Sequence, residues 1–161
     1  MRSVDDELAA WRRELPKRDA ETLVPILRAL QLAESVDVFR RRVLEPFEIS
    51  LAEYDVLAAL RQEGMPYRLN PGTLAKRLSR SSGGMSKLLK RLETGGYVER
   101  QPDPEDGRGA LVQLSRRGLD LQARIFGAFL AAADNRFEGM GRGRLAELES
   151  AMKAFCEALE H

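Results

Sequence analysis

The chain has 161 residues, enough for one domain with its own core, and it is 32% charged but only 6% aromatic, with a formal net charge of +1. No apolar run approaches the roughly 20 residues of a membrane span, and "MRSVDDELAAW" places acids where an export signal would be basic and then apolar, so a soluble, cytoplasmic protein without a membrane partner is expected. The single histidine, His161, lies in a terminal "LEH" that reads as the start of a polyhistidine tag; without it no Ser/His/Asp triad, Cys/His dyad or Cys/His zinc site can be assembled, no EF-hand or phosphate-loop spacing is present, and no catalytic residue, metal or cofactor is expected.

In chain order, an N-terminal extension containing "AAWRREL" precedes the first long helix. That helix is predicted over Thr22 to Leu44, where Leu23, Ile26, Leu27, Leu30, Ala33, Val36, Phe39 and Val43 recur at spacings of three and four and Pro25 falls in the tolerant first turn. Ser50 with Glu53 reads as a capping box for a second helix, "LAEYDVLAALRQ", stopped by Gly64. Asn70 and Pro71 open a short third helix to about Leu78; a serine-rich turn separates it from a fourth, which runs to about Thr94 and ends at Gly95 and Gly96. Two short helices joined by a tight turn suggest a helix-turn-helix.

"YVERQ" and "ALVQL" then alternate like strands, and the "PDPEDGRG" between them supplies the prolines and glycines of a long hairpin turn, which beside a helix-turn-helix is a wing. Ser115 caps a long helix carrying Leu119, Ile125, Phe126, Phe129, Leu130, Ala133 and Phe137, and "GMGRG" breaks it. The last helix sets Leu145, Leu148, Met152, Phe155 and Leu159 at spacings of 3, 4, 3 and 4, a narrow seam suited to helix pairing. Burying these five side chains contributes on the order of 10 kcal/mol before the cost of association, which favours a dimer; the alternative is that they complete a monomer core.

Charge is unevenly spread. Lys76 to Arg100 holds seven basic residues against two acidic, whereas residues 1–75 and 119–161 each carry two more acids than bases. A basic centre suits contact with phosphates along one face, and suits a solvated helix face as well. The lone Cys156 excludes an internal disulfide, and its place beside Phe155 and Met152 predicts a buried, inert thiol rather than a redox sensor.

The order of elements, with "EYDVLAALR", "GTLAKRL", "SSGGMSKLLKRLETGGYVERQPDPEDGRG" and "ALVQLSRRG", resembles the MarR-type winged-helix regulators over most of the chain; Asp106-x-Arg108-Gly109 after "YVERQ" looks like that family's wing signature. The resemblance implies a mainly α (α+β) fold in one domain, 1–161, with a DNA-binding lobe at 50–114 and dimerisation helices at 1–46 and 115–161. It implies a homodimeric repressor on palindromic double-stranded DNA, its fourth helix in the major groove and Arg108 in the minor groove. Asp106, by the same analogy, orients Arg108. The candidate contacts are Arg77, Arg80, Ser81, Ser82, Met85, Ser86, Lys87, Lys90 and Arg108, with Lys76 a further positioning cation. Taken alone, Ser81 to Gly84 could be only a turn and cap, and a hairpin-tip arginine could be only solvated.

Family members of this kind often release DNA when a small anionic or aromatic molecule binds. The N-terminal extension is similar to that of the branch responding to urate and related metabolites, which places Trp11, Asp55 and Arg100 at three pocket positions and Leu88 where an arginine would complete it, a departure that disfavours urate itself. Each also has a plain structural reading: Trp11 packing an extra helix, Asp55 as a solvated helix acid, Arg100 at a wing base. Two other classes stay open: an architectural or protein-partner-binding winged helix without small-molecule control, and an enzyme using Asp103, Glu105 or Asp106, which a hairpin tip is poorly placed to support.

Overall fold

A computed structural model of the chain describes residues 3–14, 21–102 and 110–160. Among the described residues, seven α-helices and three strands follow in the order α1 (Val4–Glu14), α2 (Val24–Leu44), α3 (Leu51–Gln62), β1 (Arg68–Leu69), α4 (Pro71–Arg77), α5 (Ser82–Thr94), β2 (Val98–Pro102), β3 (Ala110–Leu114), α6 (Arg116–Phe137) and α7 (Arg142–Leu159). The fold is mainly helical with one small antiparallel sheet, as the sequence predicts.

Local chemistry explains most element boundaries. Ser50 Oγ accepts from the Glu53 N–H at 3.3 Å while the Glu53 carboxylate accepts from the Ser50 N–H at 2.9 Å, so the capping box forms in both directions. Asn70, Ser81 and Ser115 each accept a backbone N–H in the first turn of α4, α5 and α6. α5 closes through paired bonds from the Gly96 N–H to the Glu93 carbonyl and from the Tyr97 N–H to the Leu92 carbonyl, which puts Gly96 at φ 71°, where a side chain would be strained.

β2 and β3 pair antiparallel from Val98↔Leu114 to Pro102↔Ala110, and β1 adds to the other edge of β3 through Leu69↔Val112. The sequence reading missed β1, because two residues are too few to show alternation.

The core lies where α3, α4, α5, the sheet and the first half of α6 converge: Val56, Leu57, Leu60, Leu74, Met85, Leu89, Leu92, Val112 and Ile125 are all fully buried. The end helices contrast with it. α7 buries none of its residues, and α2 buries only Leu44. Large apolar side chains on both, including Leu30, Val36, Leu148, Met152 and Leu159, lie exposed in the single chain. Cys156 is exposed too, correcting the expected burial: its helix has no cover on that face, and the thiol opens into an apolar groove of about 530 Å³ between α2 and α7, lined by Leu32, Val36, Met152 and Phe155. α1 lies on α2, with Val4 and Leu8 buried and Arg28 of α2 paired to Asp5 at 2.8 Å. No described helix is long and apolar enough to cross a membrane.

Candidate nucleic-acid interface

α4 and α5 are joined by a four-residue turn, Leu78 to Ser81, held by backbone bonds. The Ser79 N–H reaches the Lys76 carbonyl and the Arg80 N–H the Ala75 carbonyl, with Ser79 at φ 50°. This brings Arg80 and Ser81 to the start of α5. On α5, Met85, Leu89 and Leu92 are each 1% exposed and form the stripe that anchors the helix to the core. At about 100° per residue, the opposite face carries Gly83, Ser86, Lys87 and Lys90, all exposed.

Seven of the eight helix-turn-helix candidates are therefore exposed: Arg77, Arg80, Ser81, Ser82, Ser86, Lys87 and Lys90. Met85 is the correction. Its side chain points into the core, so it supports α5 from behind and touches nothing outside. Its spacing to Leu89 and Leu92, four and seven residues on, is the local signal of that burial. Arg77 is committed elsewhere, pairing with Glu63 and donating to Gln62 at 3.1 Å. Ser81 is the N-cap, its Oγ accepting from the Gly84 N–H at 3.2 Å. Small residues and free N–H groups at this end of α5 allow close approach of an anionic backbone.

The wing leaves the sheet at Pro102 and returns at Ala110; Asp106 and Arg108, with Asp103 and Glu105, lie outside the described residues. Its base is firmly fixed. Ser115 Oγ donates to the Gly96 carbonyl at 2.6 Å and accepts from the Gly118 N–H at 3.0 Å, and the Ser115 N–H donates to the Tyr97 carbonyl at 3.1 Å.

The proposed pocket residues are engaged separately. Asp55 pairs with Arg40 of α2, Arg100 with Glu93 at 3.4 Å, and Leu88 packs on the core. Trp11, about half exposed, lines a shallow concavity with Glu7, Ala10 and Glu14. Arg40 is the residue the sequence reading missed: it also reaches Asp37 at 3.5 Å, and a contact between helices fifteen residues apart leaves no local pattern. Beside this cluster, burial pushes the Tyr54 hydroxyl above the usual phenol range; Arg40 opposes that shift and Asp55 adds to it. Another groove, about 540 Å³, runs along α5 and is lined by Lys87, Lys90, Arg91, Phe47 and Tyr97, with Glu53 at its floor.

A three-stranded wing base, a tight two-helix turn and a polar, basic outer helix face define a winged helix-turn-helix of the DNA-binding class. The sequence profile of the MarR family matches residues 47–109. The HTH-type transcriptional regulator PecS of Dickeya dadantii is 30% identical over 122 residues, covering 76% of this chain and 74% of PecS. The multiple antibiotic resistance protein MarR of Escherichia coli is 33% identical over 97 residues, covering 60% of this chain and 65% of MarR. A cysteine-to-serine variant of E. coli MarR, solved in complex with operator DNA, superposes with a TM-score of 0.68 at 26% identity, covering 86% of this chain and 99% of that one. A MarR family protein from Bacillus stearothermophilus shares the fold with a TM-score of 0.76 at 17% identity. The chain belongs to the MarR family, and is a winged-helix transcriptional regulator with a DNA-binding fold.

Proposed function

We propose that the protein is a homodimeric repressor that reads a palindromic operator, with residues 50–114 as the DNA-binding lobe and residues 1–46 and 115–161 as the dimerisation region. The observation that carries this is α5: three buried side chains fix one face, while Ser82, Ser86, Lys87 and Lys90 stand exposed on the rest. Such a helix fits the major groove, its N-terminal end close to phosphates and base edges. Arg108 then extends along the duplex to the minor groove, whose narrow, electronegative floor suits a guanidinium, and Asp106 orients it. The uncovered apolar faces of α2 and α7 support pairing of two chains, which sets two α5 helices about one DNA turn apart.

Release by a small anionic or aromatic molecule completes the reading. Support for that step is the presence of α1 and the Arg40–Asp55 contact between the outer helices and the lobe, a pair that an anionic ligand could compete for. Coupling of this kind typically amounts to about 1–3 kcal/mol.

Fluorescence anisotropy on DNA from upstream of the protein's own gene, against scrambled DNA, tests the reading. Wild type should prefer the upstream DNA by roughly three orders of magnitude or more, and Arg108→Ala should weaken that binding by about 1–3 kcal/mol. Equal binding of both DNAs, with Arg108→Ala unaffected, would instead indicate an architectural winged helix.

A further inference from the structure

We infer that Glu53, buried at the start of α3, is a positioning residue for DNA binding: through Arg91 it sets the rotation of α5 about its own axis. The inference rests on the DNA-reading role proposed for α5.

Glu53 is the one charged side chain among the described buried residues, 5% exposed. A buried carboxylate is costly unless its oxygens are matched, and here the two divide the work. Oε2 completes the cap of α3 with Ser50. Oε1 accepts from Arg91 Nε of α5 at 3.0 Å, although Arg91's side chain is 60% exposed. The cap needs only the first oxygen; the second reaches across to the other helix.

What that contact adds follows from helix geometry. Met85, Leu89 and Leu92, with half-buried Leu88 beside them, pack one face of α5 and fix its depth, and apolar contacts of this kind have no directional bond to hold the roll. Arg91 lies roughly a third of a turn away from the stripe, so a bond there opposes roll. A roll of about 10° carries a side-chain tip ~6 Å from the axis through about 1 Å, enough to misalign Ser82 and Ser86 with base edges.

Electrostatics alone gives the opposite expectation. Glu53→Gln removes a negative charge behind the DNA-facing helix and frees Arg91 for phosphate, so a pure charge effect strengthens binding to any DNA. Positioning weakens binding to the cognate sequence in particular.

The test compares wild type, Glu53→Gln, Arg91→Gln, the double variant and Ser50→Ala in the full-length protein. Affinities for upstream and scrambled DNA are measured at a temperature where circular dichroism shows each variant folded. Glu53→Gln and Arg91→Gln should each lower the upstream-to-scrambled ratio about tenfold, the double variant no further, because the two act as one unit. Ser50→Ala, which damages the cap and leaves the Arg91 contact, should lower the melting temperature and keep the ratio. The inference is overturned if Glu53→Gln binds upstream DNA as tightly as wild type or tighter, if the single effects add in the double variant, or if Ser50→Ala lowers the ratio equally. Should Glu53→Gln fail to fold, the exposed Arg91→Gln decides alone: an unchanged ratio overturns the inference. A wild type without sequence preference overturns the DNA-reading role first, and this inference with it.

Discussion

Replacing Gly118 with alanine should destabilise the protein while leaving its charge unchanged. Gly118 is buried in the first turn of α6, and a Cβ built there would lie 2.0 Å from the Tyr97 carbonyl oxygen and 2.9 Å from its carbon. Carbon and carbonyl oxygen ordinarily meet at about 3.3 Å, so α6 and the start of the wing must part by about 1.3 Å. The obstacle is backbone, which cannot swing aside. Overpacking of this kind costs about 1–3 kcal/mol, and the same movement stretches the Ser115 N–H bond to the Tyr97 carbonyl, worth about 1 kcal/mol. The sum, about 2–4 kcal/mol, corresponds to a fall in Tm of about 4–16 °C for a chain of this size. Calorimetry of wild type and Gly118→Ala at equal chain concentration checks it. A Tm within 1 °C of wild type would refute the close approach of α6 to the wing base.

Three further outcomes are expected. Met85→Leu, a volume-conserving change in the core, should cost less than about 1.5 kcal/mol and leave DNA affinity within about twofold, whereas Met85→Ala should cost about 2–5 kcal/mol; loss of DNA affinity in folded Met85→Leu would restore Met85 as a contact. Met152→Glu on α7 should raise the dimer dissociation constant at least about 100-fold, read by sedimentation equilibrium, because a carboxylate is poorly tolerated between apolar helices; an unchanged mass would mean this face is not the interface. Tyr54 keeps its proton to higher pH when folded than when unfolded, so its contribution to stability is complete below about pH 10 and is lost as pH rises through its raised folded value. Urea unfolding of Tyr54→Phe should accordingly show a shallower loss of stability in that alkaline window, and identical slopes would argue against the burial-driven shift.

The elements were legible wherever the signal was local. Ser50, Asn70, Ser81 and Ser115 each act on a backbone N–H two or three residues along, and the apolar spacings of α2, α6 and α7 repeat within one element. Contacts across elements were not. Nothing near Glu53 announces that its second oxygen serves Arg91, nor near Asp55 that Arg40 lies against it. Charge counting was blind in another way. Arg61, Arg117 and Arg124 are cations in the sequence, yet each guanidinium lies over an aromatic ring, of Tyr67, Tyr97 and Phe47 respectively. Cys156 was misplaced because its apolar neighbours form a seam that has no second wall within one chain.

The bare faces of α2 and α7 bear on how the protein counts itself. If two chains pair over these helices as proposed, the species that spans both half-sites forms in proportion to the square of free chain concentration while chains are scarce. A twofold fall in chain concentration then cuts that species about fourfold, and under the proposed repressor role a silenced gene would respond to dilution before any small molecule arrived.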